Sequence, residues 1–361
     1  MMRRLLYTIG TRPEVIRSAE ILKQLEHRKR IEPLLLNTMQ HYDDAMMSDL
    51  LSELDLPAPF QTLGRNNSTP PVRIGQMVAK IAEILSSNRI DAVAVYGDTD
   101  SSLAAALAAA KTSIPIIHIE AGCRSGDLRM QEELNRRLID HMSGLLLAVS
   151  EACANHLMFE SVTGKVVVTG DPQFDVFALV APKPIEVSNR KRQAFVTIHR
   201  AENVDNPTFL VEFLNALSDF RLQEEFEILW PMHHRFARRI RQEITKFEEI
   251  DGLHLVDPMP YETAMRELAQ SRICITDSGG LQKEAFWLRV PCVTVRPSTE
   301  WNETIDLGAN RLVGNMKNFS TILRSALSES NEIRWKPDPY GGSGSAARAA
   351  QEIEEWMSRS N

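Results

Sequence analysis

Short runs of consecutive apolar residues alternate along this chain with longer segments whose apolar positions recur at helical spacing. "LLYTIG" precedes a helical pattern over residues 13–26, and "IEPLLLNT" precedes one over residues 43–54. "AVAVYG" leads into an Ala-rich helix at 101–111, "PIIHIEAG" into a loop and the helix of "EELNRRLIDHMS", and "LLLAVS" into "EACANHLMFE". This alternation is the pattern of parallel β-α-β units and predicts one doubly wound sheet. The stretch 176–193, containing "APKPIEVSNRKRQ", is polar and carries proline, and predicts a hinge. The pattern then restarts with "AFVTIH", the helix of "NPTFLVEFLNALSDF", "FEILWPMH", "LHLVDP", "RICITDSGG" and "VPCVTVR", predicting a second α/β domain. The last stretch, "PYGGSGSAARAAQEIEEWM", predicts a glycine-rich loop and a short amphipathic helix able to cap either domain. The expected division is therefore 1–176, a hinge at 177–193, 194–345, and a terminal helix at 346–361.

Composition narrows the class. A length of 361 residues suits two domains better than one core. The balance of 43% hydrophobic and 25% charged residues is that of a folded globular protein. A formal charge of −7 argues against a nucleic-acid surface while allowing a local basic cleft for a phosphate. No apolar run reaches the roughly 18 residues of a membrane span, and "MMRRLLYTIG" enters a strand too soon for a signal peptide, so a cytoplasmic location is expected. Cys123, Cys153, Cys274 and Cys292 form no Cys-x-x-Cys pair and read as small core residues.

Ligands of open parallel sheets sit beyond the strand ends where the strand order reverses, and polar residues gather just after the strands here. They are Thr11, Arg12 and Glu14, then Asp98 and Thr99, then Glu120, Gly122 and Arg124 in the first half. In the second half they are His199 and Arg200, then His233, then Asp277, Ser278 and Gly279, then Arg296. Each has a plainer reading. Asp98 in "DTDSS" can be a helix cap, Glu132 and Glu133 can be first-turn acids, and His199 can be a core histidine. His118 and Glu120 are two apart on a strand, but no third metal ligand is near in sequence, so no metal is expected. The Gly10 turn lacks the Gly-Lys-Ser/Thr ending of a Walker loop. "ICITDSGGLQKEAFW" is a strand, two glycines and a helix start, an arrangement that aims backbone N–H groups at an anion.

The segments "GTRPEVIRSAEIL", "QHYDD", "YGDTDSSLAAALAA", "HIEAGCRSGD", "QEELNRRLIDH", "TGDPQFDVF", "IHRAEN", "TDSGGLQKEAFW" and "RPSTEWNETIDLGANRLVG" follow one another as in the non-hydrolysing UDP-N-acetylglucosamine 2-epimerases. The resemblance covers almost the whole chain. It implies two Rossmann-like domains of the glycosyltransferase-B type with the active site between them, a terminal helix that crosses back to the first domain, and a homodimer. It implies a UDP-sugar substrate, C2 epimerisation through elimination of UDP to 2-acetamidoglucal and re-addition, and no cofactor. By matching position, Asp98, Glu120, Glu132 and His199 resemble the catalytic groups, the three carboxylates being left unassigned to particular protons. Ser278, Gly279 and Gly280 resemble the seat of the diphosphate, with Arg12 and Arg17 adding positive charge. Glu284 resembles the glutamate that accepts from the ribose hydroxyls; Arg296, Glu300 and His233 resemble other members of the nucleotide pocket.

The departures bear on substrate and regulation. Gln131 stands where proline is usual, and Arg17 where many relatives carry lysine. Ala201 occupies the position of an arginine that belongs to a second UDP-GlcNAc site in allosterically activated relatives. Thr299-Glu300-Trp301-Asn302-Glu303 replaces the Thr-Glu-Arg-Pro-Glu form and resembles a subgroup that includes UDP-2,3-diacetamido-glucuronate 2-epimerases. A hydrolysing 2-epimerase, releasing UDP and free N-acetylmannosamine, would share most of these motifs but usually varies the "GTRPE" start.

Overall fold

The computed structural model describes residues 2–39, 44–64, 66, 68–232 and 252–359. The chain divides into two compact units, one of residues 1–179 with 338–361 and the other of residues 180–337. The crossings thus fall at 179/180 and 337/338, where the sequence placed them around 177–193 and at 345/346. Much of the expected hinge is regular structure: the helix Pro172–Val180 occupies its start, and a strand begins at Lys191 near its end.

Unit 1 holds seven parallel strands: β1 (Arg3–Ile9), β2 (Ile31–Asn37), β3 (Gln61–Thr62), β4 (Ala92–Tyr96), β5 (Ile116–Ala121), β6 (Leu145–Ala148) and β7 (Lys165–Val168). Their spatial order is β3-β2-β1-β4-β5-β6-β7. β1, β4, β5 and β6 are near-continuous apolar runs because helices cover both faces of the sheet. Alternate residues feed two cores. Leu5, Tyr7, Ala94 and Ile117 join one, with the helix Arg12–Arg28, while Leu6, Val93 and Val95 join the other, with the helices Pro70–Ser87 and Asp100–Lys111. Ala104, Ala105, Ala108 and Ala109 have no exposed surface; their small side chains let the last of these helices lie close to the sheet and its neighbours.

The C-terminal helix Ser345–Arg359 belongs to the first core, where Ala346, Ile353 and Met357 pack. Asp175 fixes its start by accepting from the Gly344 and Ala346 N–H groups at 2.6 and 2.7 Å. Glu354 pairs with Arg28 at 3.3 Å and Arg30 at 3.0 Å.

Unit 2 holds six parallel strands: β8 (Lys191–Thr197), β9 (Glu227–Pro231), β10 (Leu253–Val256), β11 (Ser271–Thr276), β12 (Cys292–Thr294) and β13 (Asn310–Leu312), in the order β10-β9-β8-β11-β12-β13. Phe213 anchors its core, meeting Trp230 and Phe319 edge-on at 5.5 Å each. In both units the strand order reverses beside the first strand, between β1 and β4 and between β8 and β11. Each reversal opens a crevice at the carboxyl ends of the strands. All four cysteines are buried, and among the described residues no helix is long and apolar enough to cross a membrane.

Candidate active site

The unit-1 crevice is built around Glu14. Thr11 caps the helix Arg12–Arg28 in a capping box whose third residue is Glu14. Glu14 Oε2 accepts from the Gly10 and Thr11 N–H groups at 2.7 and 2.8 Å, and Oε1 from the Thr99 and Ser102 hydroxyls at 2.6 and 3.3 Å. One buried carboxylate thereby ties the loop after β1 to the loop after β4. Burial pushes its carboxyl above the ordinary value, and the Thr99, Gly10 and Thr11 donors only partly offset that. Gly10 is required by space: a Cβ there would stand 2.1 Å from Ser101 Oγ and 2.4 Å from Thr38 Oγ1.

The three expected catalytic carboxylates lie on adjacent elements of this crevice. Asp98 does not cap the following helix; Thr99 does, accepting from Ser102 N–H at 3.2 Å. The Asp98 carboxylate instead pairs with buried Arg136, and its carbonyl accepts from Asn135 at 2.9 Å. Glu120 sits where the β5–β6 register shifts between Ile119 and Ala121, with φ +68°. A left-handed φ at a non-glycine residue is costly, and such bulges re-aim a side chain. Glu120 is directed to Arg17, whose guanidinium lies 3.3 Å away. The bulge also breaks the strand alternation behind a shared His118/Glu120 face, and the described residues hold no metal-binding cluster.

Glu132 and Glu133 separate cleanly. Glu133 is fully buried and structural, accepting from Ser125 N–H at 2.9 Å and from Arg137 at 3.0 Å. Glu132, half-buried in the first turn of the helix Gln131–Met142, makes no carboxylate contact among the described residues. Arg12 is exposed at the first position of its helix.

The unit-2 crevice has an analogous organiser, Asp277, at the end of β11. Its buried carboxylate accepts from the His199 and Arg200 N–H groups, both at 3.0 Å, and from Asn203 Nδ2 at 2.9 Å. It ties the loop after β8 to the loop after β11. The exposed His199 ring places Nδ1 3.2 Å from the same carboxylate. Ser278 precedes the helix Gly279–Trp287 without capping it, and the first turn carries no acid. The helix start is thus left without a side-chain cap or an acid of its own.

One turn on, Glu284 accepts from the Tyr261 hydroxyl at 2.6 Å. Arg296 and Glu300 are both buried and pair with each other through two bonds of 3.0 Å. Fully buried Lys283 places its ammonium 3.7 Å from the Trp301 ring centre. The expected residue His233 lies outside the described residues.

Glu14 and Asp277 are marked in the sequence by their place after strands, but not as organisers, and Arg136 is not singled out at all. Glu14 carries a further local signal, the Thr-x-x-Glu spacing of a capping box. Arg136 and Asp277 act on residues far away in sequence.

Two successive Rossmann-like units, each with its strand order reversing beside the first strand, define an α/β protein of the glycosyltransferase-B type. The residue pattern of the UDP-N-acetylglucosamine 2-epimerase family matches residues 23–354, and the chain belongs to that family. A Methanococcus maripaludis UDP-N-acetylglucosamine 2-epimerase homolog is 38% identical over 86% of this chain and 88% of its own. The UDP-2,3-diacetamido-2,3-dideoxy-D-glucuronate 2-epimerase of Pseudomonas aeruginosa is 35% identical over 96% of this chain and 98% of its own. The Methanocaldococcus jannaschii UDP-GlcNAc 2-epimerase, solved in complex with UDP-GlcNAc and UDP, superposes with TM-score 0.86 at 32% identity, covering 98% of this chain and 99% of that one.

Proposed function

We propose that this chain catalyses the reversible, non-hydrolysing inversion of C2 in UDP-N-acetylglucosamine, giving UDP-N-acetylmannosamine without metal or cofactor. The observation that carries this is the set of three carboxylates, Asp98, Glu120 and Glu132, on neighbouring elements of one crevice, two of them held by arginines. In the reaction the C1–O bond to the diphosphate breaks and its electron pair leaves with UDP. A carboxylate takes the C2 proton and the C–H pair becomes the C1=C2 bond of 2-acetamidoglucal. A UDP oxygen then re-adds at C1 while an acid returns a proton to the opposite face of C2. Two carboxyl groups on opposite faces meet that need, and their exchange of roles serves the reverse direction.

The leaving diphosphate requires fixed positive potential. The start of the helix Gly279–Trp287 supplies N–H donors, Arg12 and Arg17 supply charge, His199 supplies a further donor, and Glu284 takes the ribose hydroxyls. This reading needs the glucal kept from water until re-addition. It also takes the protein to be a cytoplasmic homodimer serving polysaccharide synthesis.

A second substrate is favoured by a specific feature. Trp301-Asn302 departs from the common Arg-Pro, and the P. aeruginosa relative aligns over nearly the whole chain, which supports the diacetamido uronate as an alternative sugar. Proton and phosphorus NMR with UDP-GlcNAc in D₂O tests the assignment. UDP-ManNAc carrying deuterium at C2 is expected. UDP with free N-acetylmannosamine would make the protein a hydrolase, and unchanged UDP-GlcNAc alongside turnover of the diacetamido uronate would move the substrate.

A further inference from the structure

The imidazole of His118 on β5 is fully buried and has an acceptor at each ring nitrogen. Nε2 lies 2.9 Å from the Gly97 carbonyl oxygen and Nδ1 lies 2.6 Å from Asp140 Oδ1. A carbonyl oxygen can only accept, so Nε2 carries a proton. Asp140 Oδ2 takes the Arg124 guanidinium at 2.7 Å and the Gly122 N–H at 3.3 Å, and both donors favour the ionised carboxylate. An ionised acceptor at 2.6 Å calls for a proton on Nδ1 as well. A neutral ring would leave Nδ1 and the carboxylate as two acceptors face to face.

We propose that both ring nitrogens of His118 donate, and that these two N–H bonds position the turns carrying Asp98 and Glu120. His118 is thus a positioning residue, and its role rests on the acid–base reading of those two carboxylates. The Gly97 turn is pinned to β5 twice, its carbonyl by His118 and its N–H by the Ile119 carbonyl at 2.9 Å. Gly97 has φ +64° and leads directly into Asp98. Glu120 follows Ile119 at the bulge, and a Cβ on Gly97 would stand 3.1 Å from Glu120 Oε2, so the two turns abut. The ring therefore sets the spacing of the two carboxylate-bearing turns.

The charges around the ring come from several elements. Asp140 faces it from the helix Gln131–Met142, and Arg124 stands behind Asp140, itself paired with Glu160 at 2.7 Å. Glu120 with Arg17, and Asp98 with Arg136, flank the turns that the ring holds. Burial alone would raise the Asp140 carboxyl. The His118 ring and Arg124 outweigh that and hold it below the ordinary range, which agrees with a paired cation and anion.

The test is a long-range proton–nitrogen correlation on the full-length protein labelled with ¹⁵N-histidine, the His118 signals being identified by their loss in His118→Gln. Two protonated ring nitrogens are expected at neutral pH, because each faces an acceptor. A singly protonated ring at neutral pH overturns the proposal. Asp140→Asn keeps a hydrogen-bonding side chain of the same shape while removing the counter-charge. Its ring should become neutral, and kcat should fall on the order of 10- to 100-fold, the scale of a small misplacement of reacting groups. KM and the thermal shift induced by UDP should stay near wild type. Wild-type kcat in a folded Asp140→Asn protein with a neutral ring overturns the positioning role, as does loss of UDP binding in step with kcat. The ring state is read without turnover, and Asp98→Asn and Glu120→Gln test the acid–base reading separately, so the two failures are distinguishable.

Discussion

Glu14 shows how one side chain can organise a site without touching chemistry. Its carboxylate receives two N–H groups and two hydroxyls from the ends of β1 and β4. An amide cannot accept from all of them, because its NH₂ end would face donors. Glu14→Gln should therefore cost about 1–3 kcal/mol, measured by chemical denaturation, through orphaned buried donors. The proposed acid–base residues should behave differently: Asp98→Asn, Glu120→Gln and Glu132→Gln should each lower kcat on the order of 10² or more while leaving the fold intact. Near wild-type turnover in all three would remove the assignment. Of these residues, Asp98 and Glu120 are legible in the sequence by their place after strands, and Glu132 only through the family resemblance. Arg17 is legible only as a source of charge and Arg136 not at all, since their pairings with Glu120 and Asp98 span 103 and 38 positions.

At the scale of elements, the unit-2 crevice depends on two buried carboxylates with different partners. Asp277 gathers the loop after β8, so Asp277→Ala should release the His199 loop and weaken UDP-induced thermal stabilisation, where an unchanged shift would show that this loop does not matter to the nucleotide. Arg296 and Glu300 pair with each other in the interior, so Arg296→Ala should lower stability by removing one partner of a buried ion pair, measured by chemical denaturation. Glu300 should then rescue stability when it is also neutralised. Most helices and strands were legible as apolar runs and helical spacing, yet the helix Pro70–Ser87 was not anticipated. Its two leading prolines look like a break but suit a helix start, and Met77, Ile81, Ile84 and Leu85 are its buried stripe.

For the whole molecule, two compact units with separate cores predict separable unfolding. Ile353 is fully buried in the unit-1 core although it lies near the chain end. Ile353→Ala should lower the stability of that unit by about 2–5 kcal/mol, seen by calorimetry as a shift of one transition and not the other. Acid should act on unit 1 through Asp140 and Glu160. Burial raises the first and the His118 and Arg124 charges overcome it; the Arg124 hydrogen bond lowers the second. Both folded values lie below the ordinary carboxylate range, so their stabilisation is complete above that range and is lost as pH falls through the folded values. Glu14 has the opposite sign, its stabilisation fading as pH rises through its raised value. Melting temperature should therefore drop on acidification below about pH 4, and Asp140→Asn should flatten that drop.

The sequence by itself determined the two α/β repeats, the positions of the polar strand ends and the family, because parallel strands buried on both faces leave long apolar runs and switch-point ligands need polar groups at fixed places in the repeat. Only the tertiary structure decided which of those polar groups stand open and which are tied up in the interior. Glu132 and Glu133 are adjacent and of one type, yet one stands half-exposed at a helix start and the other is buried under Ser125 and Arg137. His118 and Glu120 share a strand, yet a bulge sends one to Asp140 and the other to Arg17. In the first pair the difference is made by burial, and in the second by partners 22 and 103 positions away, which meet only once the sheet has formed.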